Sequence, residues 1–379
     1  MKTSSNSMQI EDSCSLLLFA EEGRMFSMLV DHAKRFPEAS PYLMLTILPF
    51  CAITVHDGVR FARKYLGSSL PSDTEDINRL RNRTKSLSAD GLSFKDYSDE
   101  TATVVTELSS LMKNHTGLLG PIINAIQPET SIVYHDGLPI LTSYVHARYV
   151  EKKHGAGSPL LNEGENRQIG FDIGKAAAIN CKVAESIGLT AESCEAEKFN
   201  VVSRDLHFPR LLAPLASKGV RNEACFFMLS ELLTQINSVE ALHRSGFFSD
   251  LLYLKFQSAA LLTAVRSMKS FATSAMSSPA EFGCTADSIK LLSSAIPRKT
   301  RKAIEKTAGL RNAFVHYDFL TLVGEKECNG EPPLAILEKG IQKTVETSIE
   351  EYYAMLQDSA ACLSRNIAEA IELPSPTNR

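Results

Sequence analysis

The sequence predicts an all-α protein in which a mostly helical N-terminal domain (residues 1–219) precedes an antiparallel helical bundle (220–372) and a short disordered tail (373–379). Three observations carry this. Apolar residues recur at three- and four-residue spacing nearly everywhere. The 379 residues are 44% hydrophobic and 22% charged, the composition of an ordinary globular chain, and at roughly 100–200 residues per domain two domains are the natural division. The longest periodic segments follow residue 222 with short breaks between them, as in bundles whose neighbours run antiparallel.

In the first half, Arg24–Arg35 reads as a helix with Met25, Met28, Leu29 and Ala33 on one side, punctuated by Pro37 and Pro41. The apolar run Tyr42–Val55 is shorter than the roughly 20 residues that span a bilayer and contains Pro49, so it reads as a buried core segment leading into a helix over His56–Leu66. Ser72 and Glu75 have capping-box spacing for a further helix start. Asp90–Asp99 is loop-like, and Thr101–Lys113 and Pro139–Lys153 read as helices. His154–Gln168 reads as a surface loop or hinge and Asp172–Ile187 as a helix closed by Gly188. Lys198–Phe208 is rich in β-formers but has no obvious strand partner, so it is read as extended linker. In the second half, helices are expected over Asn222–His243, Asp250–Met276, Thr285–Ile296, from Pro297 onward, and over Ile341–Ile371.

Net charge is −4, which excludes a global positive field for holding nucleic acid; polyanion binding needs a local cluster. None of the eight cysteines has Cys-x-x-Cys spacing, the arrangement of zinc and redox motifs. Scattered thiols suit a reducing compartment, and the N-terminus lacks a signal-peptide pattern. A cytoplasmic location is therefore expected, with no membrane association, no metal and no cofactor.

Pro297–Asp318 is the segment that carries chemistry. At about 100° per residue, Ala303, Thr307, Leu310, Phe314 and Tyr317 share one side of a continuous helix, flanked by Ile304 and Val315. Arg301, Lys302, Glu305, Lys306, Asn312 and His316 lie opposite, with Arg311 at the edge. His316 is thus expected on a wet, basic face, one turn from Asn312. Arg298, Lys299, Arg301, Lys302 and Lys306 form a cationic run on which a phosphate backbone is expected to dock. Cleavage of RNA by its own 2′-hydroxyl needs a group that moves protons near neutral pH, which histidine supplies. It also needs fixed positive charge on the phosphate, which a guanidinium supplies. Asn312 supplies an amide to hold the phosphate or orient the imidazole.

Arg311-Asn312-Ala313-Phe314-Val315-His316 resembles the Arg-x(4–6)-His signature of the HEPN superfamily, where a polar residue commonly follows the arginine. The likeness covers about 220–372. It implies a metal-independent endoribonuclease working as a homodimer, with two motifs facing each other across the seam, Arg311 and His316 catalytic and Asn312 supporting. Because the superfamily is common in toxin and antiviral defence systems, it also implies an effector restrained by its N-terminal half.

Blander explanations compete. A lone histidine in a helix is usually structural or merely solvated, and a basic run is usually a solvated face. A non-catalytic module that binds RNA, a nucleotide or a protein through the same face is the alternative function. Asp318 is placed beside Arg311 and is a candidate to orient it, whereas Tyr317 is expected to pack into the bundle. His135, Asp136, His146 and His154 have spacings that match no metal motif. Leu80-Arg81-Asn82 faintly echoes Leu310-Arg311-Asn312, with Ser86 where the second copy has His316.

Overall fold

Two helices form the axis of the molecule. Every residue of Ala224–Val239 and of Leu251–Val265 is buried, and a helix covered on all sides must be wrapped by other elements. The computed structural model describes residues 12–66, 75–84, 93–113, 116, 119–150, 163–186, 188, 198–280 and 282–374.

In chain order the elements are α1 (Ser13–Arg35), α2 (Ser40–Leu66), α3 (Glu75–Arg83), α4 (Phe94–Met112), α5 (Gly120–Ile126), β1 (Thr130–His135), β2 (Leu138–Thr142), α6 (Ser143–Val150), α7 (Glu163–Ser186) and β3 (Val202–Leu206). There follow α8 (Phe208–Ser217), α9 (Glu223–Arg244), α10 (Asp250–Ser277), α11 (Ala286–Ser294), α12 (Arg298–Lys306), α13 (Ala308–His316), α14 (Phe319–Val323), α15 (Glu325–Cys328), α16 (Pro333–Val345) and α17 (Ile349–Ile371). Helix accounts for 77% and strand for 6% of the described residues, so the protein is mostly helical.

The ends of the long helices follow from side-chain caps. Asn222 accepts from the Ala224 amide at 2.9 Å and Ser249 from the Leu252 amide at 3.4 Å. Thr285 and Ser288, and Ser348 and Glu351, form reciprocal capping boxes. Each supplies a partner to an amide that a helix start leaves bare.

Several elements differ from the sequence expectation. α1 begins at Ser13, well before Arg24, with Asp12 as its cap. α4 takes in Phe94–Asp99, expected as loop, because Ser93 caps it through the Asp96 amide. α7 starts at Glu163 inside the expected hinge, and Ile341–Ile371 is split between α16 and α17. Ser72 lies outside the described residues. Pro139–Thr142 is strand, not helix: β1 and β2 form an antiparallel hairpin closed by Asp136 (φ 48°) and Gly137 (φ 80°), the two left-handed positions of a tight turn. Lys198–Phe208 is not simply linker, since β3 pairs antiparallel with β1 from Thr130↔Leu206 to Tyr134↔Val202. The partner that sequence could not supply lies some 70 residues upstream. Leu373 and Pro374 are not tail: the Tyr134 hydroxyl donates to the Pro374 carbonyl at 2.5 Å.

The core runs across the expected boundary at residue 219 without interruption. Buried apolar residues form one cluster from Cys14 to Ile371, and α1 packs against α7, α10 and α16. β2 sits on α9, where Asn237 and Ser238 donate to the Pro139 and Ile140 carbonyls at 3.0 and 2.8 Å. Ser40–Arg63 is long and apolar enough by composition to cross a membrane, yet 71% of its apolar window is buried in the protein.

Charged clusters among the described residues of this core include two away from any cleft. In the first, Arg148 Nη1 on α6 meets both Glu231 oxygens on α9 at 2.8 and 2.9 Å, and the Tyr97 hydroxyl donates to Glu231 at 3.0 Å. In the second, Lys255 meets Glu22 at 2.5 Å, Tyr317 donates to the same carboxylate, and the ammonium lies 4.1 Å from the Tyr317 ring centre.

Candidate anion-binding cleft

The expected continuous helix over Pro297–Asp318 breaks at Thr307. Thr307 is fully buried, and its hydroxyl donates back to the Ile304 carbonyl at 2.8 Å, a bond that competes with the helical ladder. α12 and α13 are therefore separate. Leu310, Ala313, Phe314 and Val315 are buried while Asn312 and His316 face solvent. The His316 side chain is 48% exposed.

His316 is the last residue of α13, and Tyr317 ends the helix in the left-handed conformation (φ 55°, ψ 52°). For a residue with a side chain this costs about 1–3 kcal/mol and needs support from its surroundings. The support is the packing of the Tyr317 ring against Phe19 and Phe61 and its bond to Glu22. The Asp318 amide returns to the Ala313 carbonyl at 3.0 Å. Packing thus fixes where the chain turns directly after the imidazole.

Asp57 on α2 receives that imidazole. Its carboxylate is 2% exposed as a residue, and its Oδ1 lies 3.0 Å from His316 Nδ1 and 3.3 Å from His56 Nδ1. Its Oδ2 accepts from Arg81 Nε at 2.9 Å. Burial alone would raise the Asp57 pKa; the bonds from His316 and His56 and the charge of Arg81 outweigh it and hold the group well below the usual carboxylate range. An ionised carboxylate only accepts, so each ring presents an Nδ1–H to Asp57, which leaves Nε2 as its second functional atom.

These groups line one cleft of about 560 Å³. α2 contributes His56, Asp57 and Arg60, and α3 contributes Asn78, Arg81 and Asn82. α10 contributes Leu262, Thr263 and Arg266, and α13 contributes Arg311, Asn312 and His316. Four guanidinium groups face one carboxylate, and that carboxylate is already paired. Among the described residues neither Arg60 nor Arg266 forms an ion pair. The Arg311 guanidinium donates to Asn312 Oδ1 at 3.0 Å, which holds the pair side by side. Such a lining, in which forked donors and amides converge, has the chemistry to receive an anion.

Of the expected site residues, Arg311, Asn312 and His316 come together here. The basic run does not join them. Arg298, Lys299, Lys302 and Lys306 are exposed on α12 and Arg301 is half-buried there, none lines the cleft, and Glu305 pairs with Lys269 at 3.5 Å. Asp318 caps α14, accepting from the Thr321 amide and hydroxyl at 3.3 and 2.6 Å. Tyr317 is buried behind the site. His135 is held by the Asn200 carbonyl and the Ser245 hydroxyl and stacks on Phe199. His154 lies outside the described residues.

Half of the cleft comes from before residue 210, where sequence reasoning saw no functional residue. The Leu80-Arg81-Asn82 echo was the available signal: both Arg-Asn pairs line this cleft, and Arg81 and Arg311 together also reach a small inner void of about 20 Å³. Ser86 lies outside the described residues. His56, Asp57 and Arg266 carried no motif. No family model, curated protein or solved structure matches this chain.

Proposed function

We propose that the protein is a metal-independent endoribonuclease of HEPN type, with its composite site assembled inside one chain in place of a seam between two. The observation that carries this is the His316 ring, open to solvent, bonded through Nδ1 to buried, ionised Asp57, in a cleft with four arginines and two Arg-Asn pairs. An orienting carboxylate leaves the imidazole free to exchange protons at Nε2. Arg311, with Arg60 and Arg266 beside it, supplies charge for a phosphate whose negative charge grows in the transition state. Asn312 fixes the Arg311 fork. The second Arg-Asn pair that a homodimer would bring is supplied by Arg81 and Asn82. The N-terminal half then builds the site, which replaces the expected role of restraining it; a toxin or defence role rests on the resemblance alone.

The test is incubation of purified protein with single-stranded RNA in EDTA, which should yield fragments with 2′,3′-cyclic phosphate ends. Cleavage that survives His316→Ala unchanged would remove the assignment. A second reading has its own support: a cleft of about 560 Å³ is the size of a small-ligand pocket, so the arginines also suit a nucleotide's phosphates. Tight nucleotide binding with intact RNA would establish that alternative.

A further inference from the structure

Resting on the ribonuclease reading, the geometry points to His56 as the second proton-transfer group of the reaction, paired with His316 through Asp57. Both rings line the cleft, and both direct Nδ1 at one oxygen of Asp57, at 3.3 and 3.0 Å. The His56 side chain is 15% exposed and the His316 side chain 48%, so the two differ in depth while sharing an anchor. The charges facing them are Asp57 and Arg60 from α2, Arg81 from α3, Arg266 from α10 and Arg311 from α13. The one carboxylate among them is held by Arg81 at 2.9 Å and anchors both rings. With Nδ1 of each ring committed to the same Asp57 oxygen, each ring keeps Nε2 for proton transfer in the cleft.

Transphosphorylation needs one group to take a proton and a second to give one. The neutral ring takes the 2′-hydroxyl proton at Nε2 as the P–O2′ bond forms. The protonated ring gives its Nε2 proton to the 5′-oxygen as the P–O5′ bond breaks. The products are a 2′,3′-cyclic phosphate and a 5′-hydroxyl, the rings have exchanged protonation states, and proton exchange with water restores them. No oxidant, reductant or further reagent enters.

The experiment follows single-turnover cleavage of a single-stranded RNA oligonucleotide against pH, for the wild type, His56→Asn and His316→Asn. An asparagine amide takes the place of Nδ1–H and keeps the bond to Asp57 while removing Nε2. The wild type should show a bell-shaped profile, and each variant should lose roughly 10²-fold or more in rate and keep one limb only. A substrate with sulfur at the bridging 5′ position, which leaves without a proton, should restore the rate of one variant and not of the other. A thermal midpoint matching the wild type shows each variant folded, and for a misfolded asparagine variant His56→Gln repeats the comparison. If His56→Asn keeps both limbs and a rate within tenfold of the wild type, His56 only positions Asp57 and the inference is overturned while the ribonuclease reading stands. If the wild type leaves RNA intact, both fall together.

Discussion

Two buried carboxylates, Glu231 and Asp57, have been put to opposite uses. Glu231 is sealed: Arg148, Tyr97 and Gln235 fill its oxygens, and neither it nor Arg148 shows more than 1% exposure. Asp57 is equally buried and also holds an arginine, yet its other oxygen carries two imidazoles that open onto a cleft. The first cluster ties α4, α6 and α9 together. The second anchors groups whose remaining atoms face outward. Burial of a charge therefore says little about role; what matters is whether the last donor in the network faces protein or solvent.

The largest expected effect tests the open cluster. His316→Ala should lower RNA cleavage by roughly 10²–10⁴-fold with little change in the urea midpoint, because half of the ring is already in water. A midpoint loss as large as the loss of cleavage would place His316 with the sealed cluster.

Next comes Glu231→Ala, which should cost about 3–5 kcal/mol of stability, since it leaves Arg148 charged and without its bidentate partner in the core. Urea unfolding measures this. A loss under about 1 kcal/mol would mean that water reaches Arg148 and the seal is absent.

Smaller still, Arg60→Ala and Arg266→Ala should each weaken binding of single-stranded RNA with uncleavable 2′-deoxy linkages, and lower the slope of log affinity on log salt by about 0.7 per contact removed. Lys299→Ala on α12 should leave that slope nearly unchanged. An equal effect at Lys299 would restore the basic run to the binding surface.

The smallest effect is on acid stability. Asp57 has its pKa lowered by folding, so its contribution is present above the ordinary carboxylate value near 3.8 and is lost as pH falls toward the folded value. Asp57→Asn should flatten the fall in stability below about pH 4 relative to the wild type. Equal acid sensitivity in both proteins would contradict the ionised, paired state.

Much of the helical architecture was legible. Asn222–His243 and Asp250–Met276 nearly coincide with α9 and α10 because their caps and apolar content are local properties. The hairpin and β3 were not legible, since a strand is defined by a partner and Thr130–His135 is remote in sequence from Val202–Leu206. Within the site, Arg311, Asn312 and His316 were legible because spacing along one helix puts them on one face. Arg81 showed only as an echo of that pattern. His56, Asp57 and Arg266 belong to other helices and gave no local sign. The basic run stands outside the cleft, since Thr307 separates α12 from α13 and a shared helical wheel did not mean a shared surface.

Sequence alone determined that the chain is mostly helical, where α9 and α10 begin, and that the His316 imidazole faces solvent with Asn312 while Arg311 stands at the edge of that face. Those follow from periodicity and capping, which act over a few residues. Only the tertiary structure decided what faces that imidazole. Packing α2, α3, α10 and α13 around one core brings Asp57, some 259 residues away in sequence, into hydrogen-bond reach of His316. A contact across that separation is set by the shape of the packed core, which no local pattern encodes.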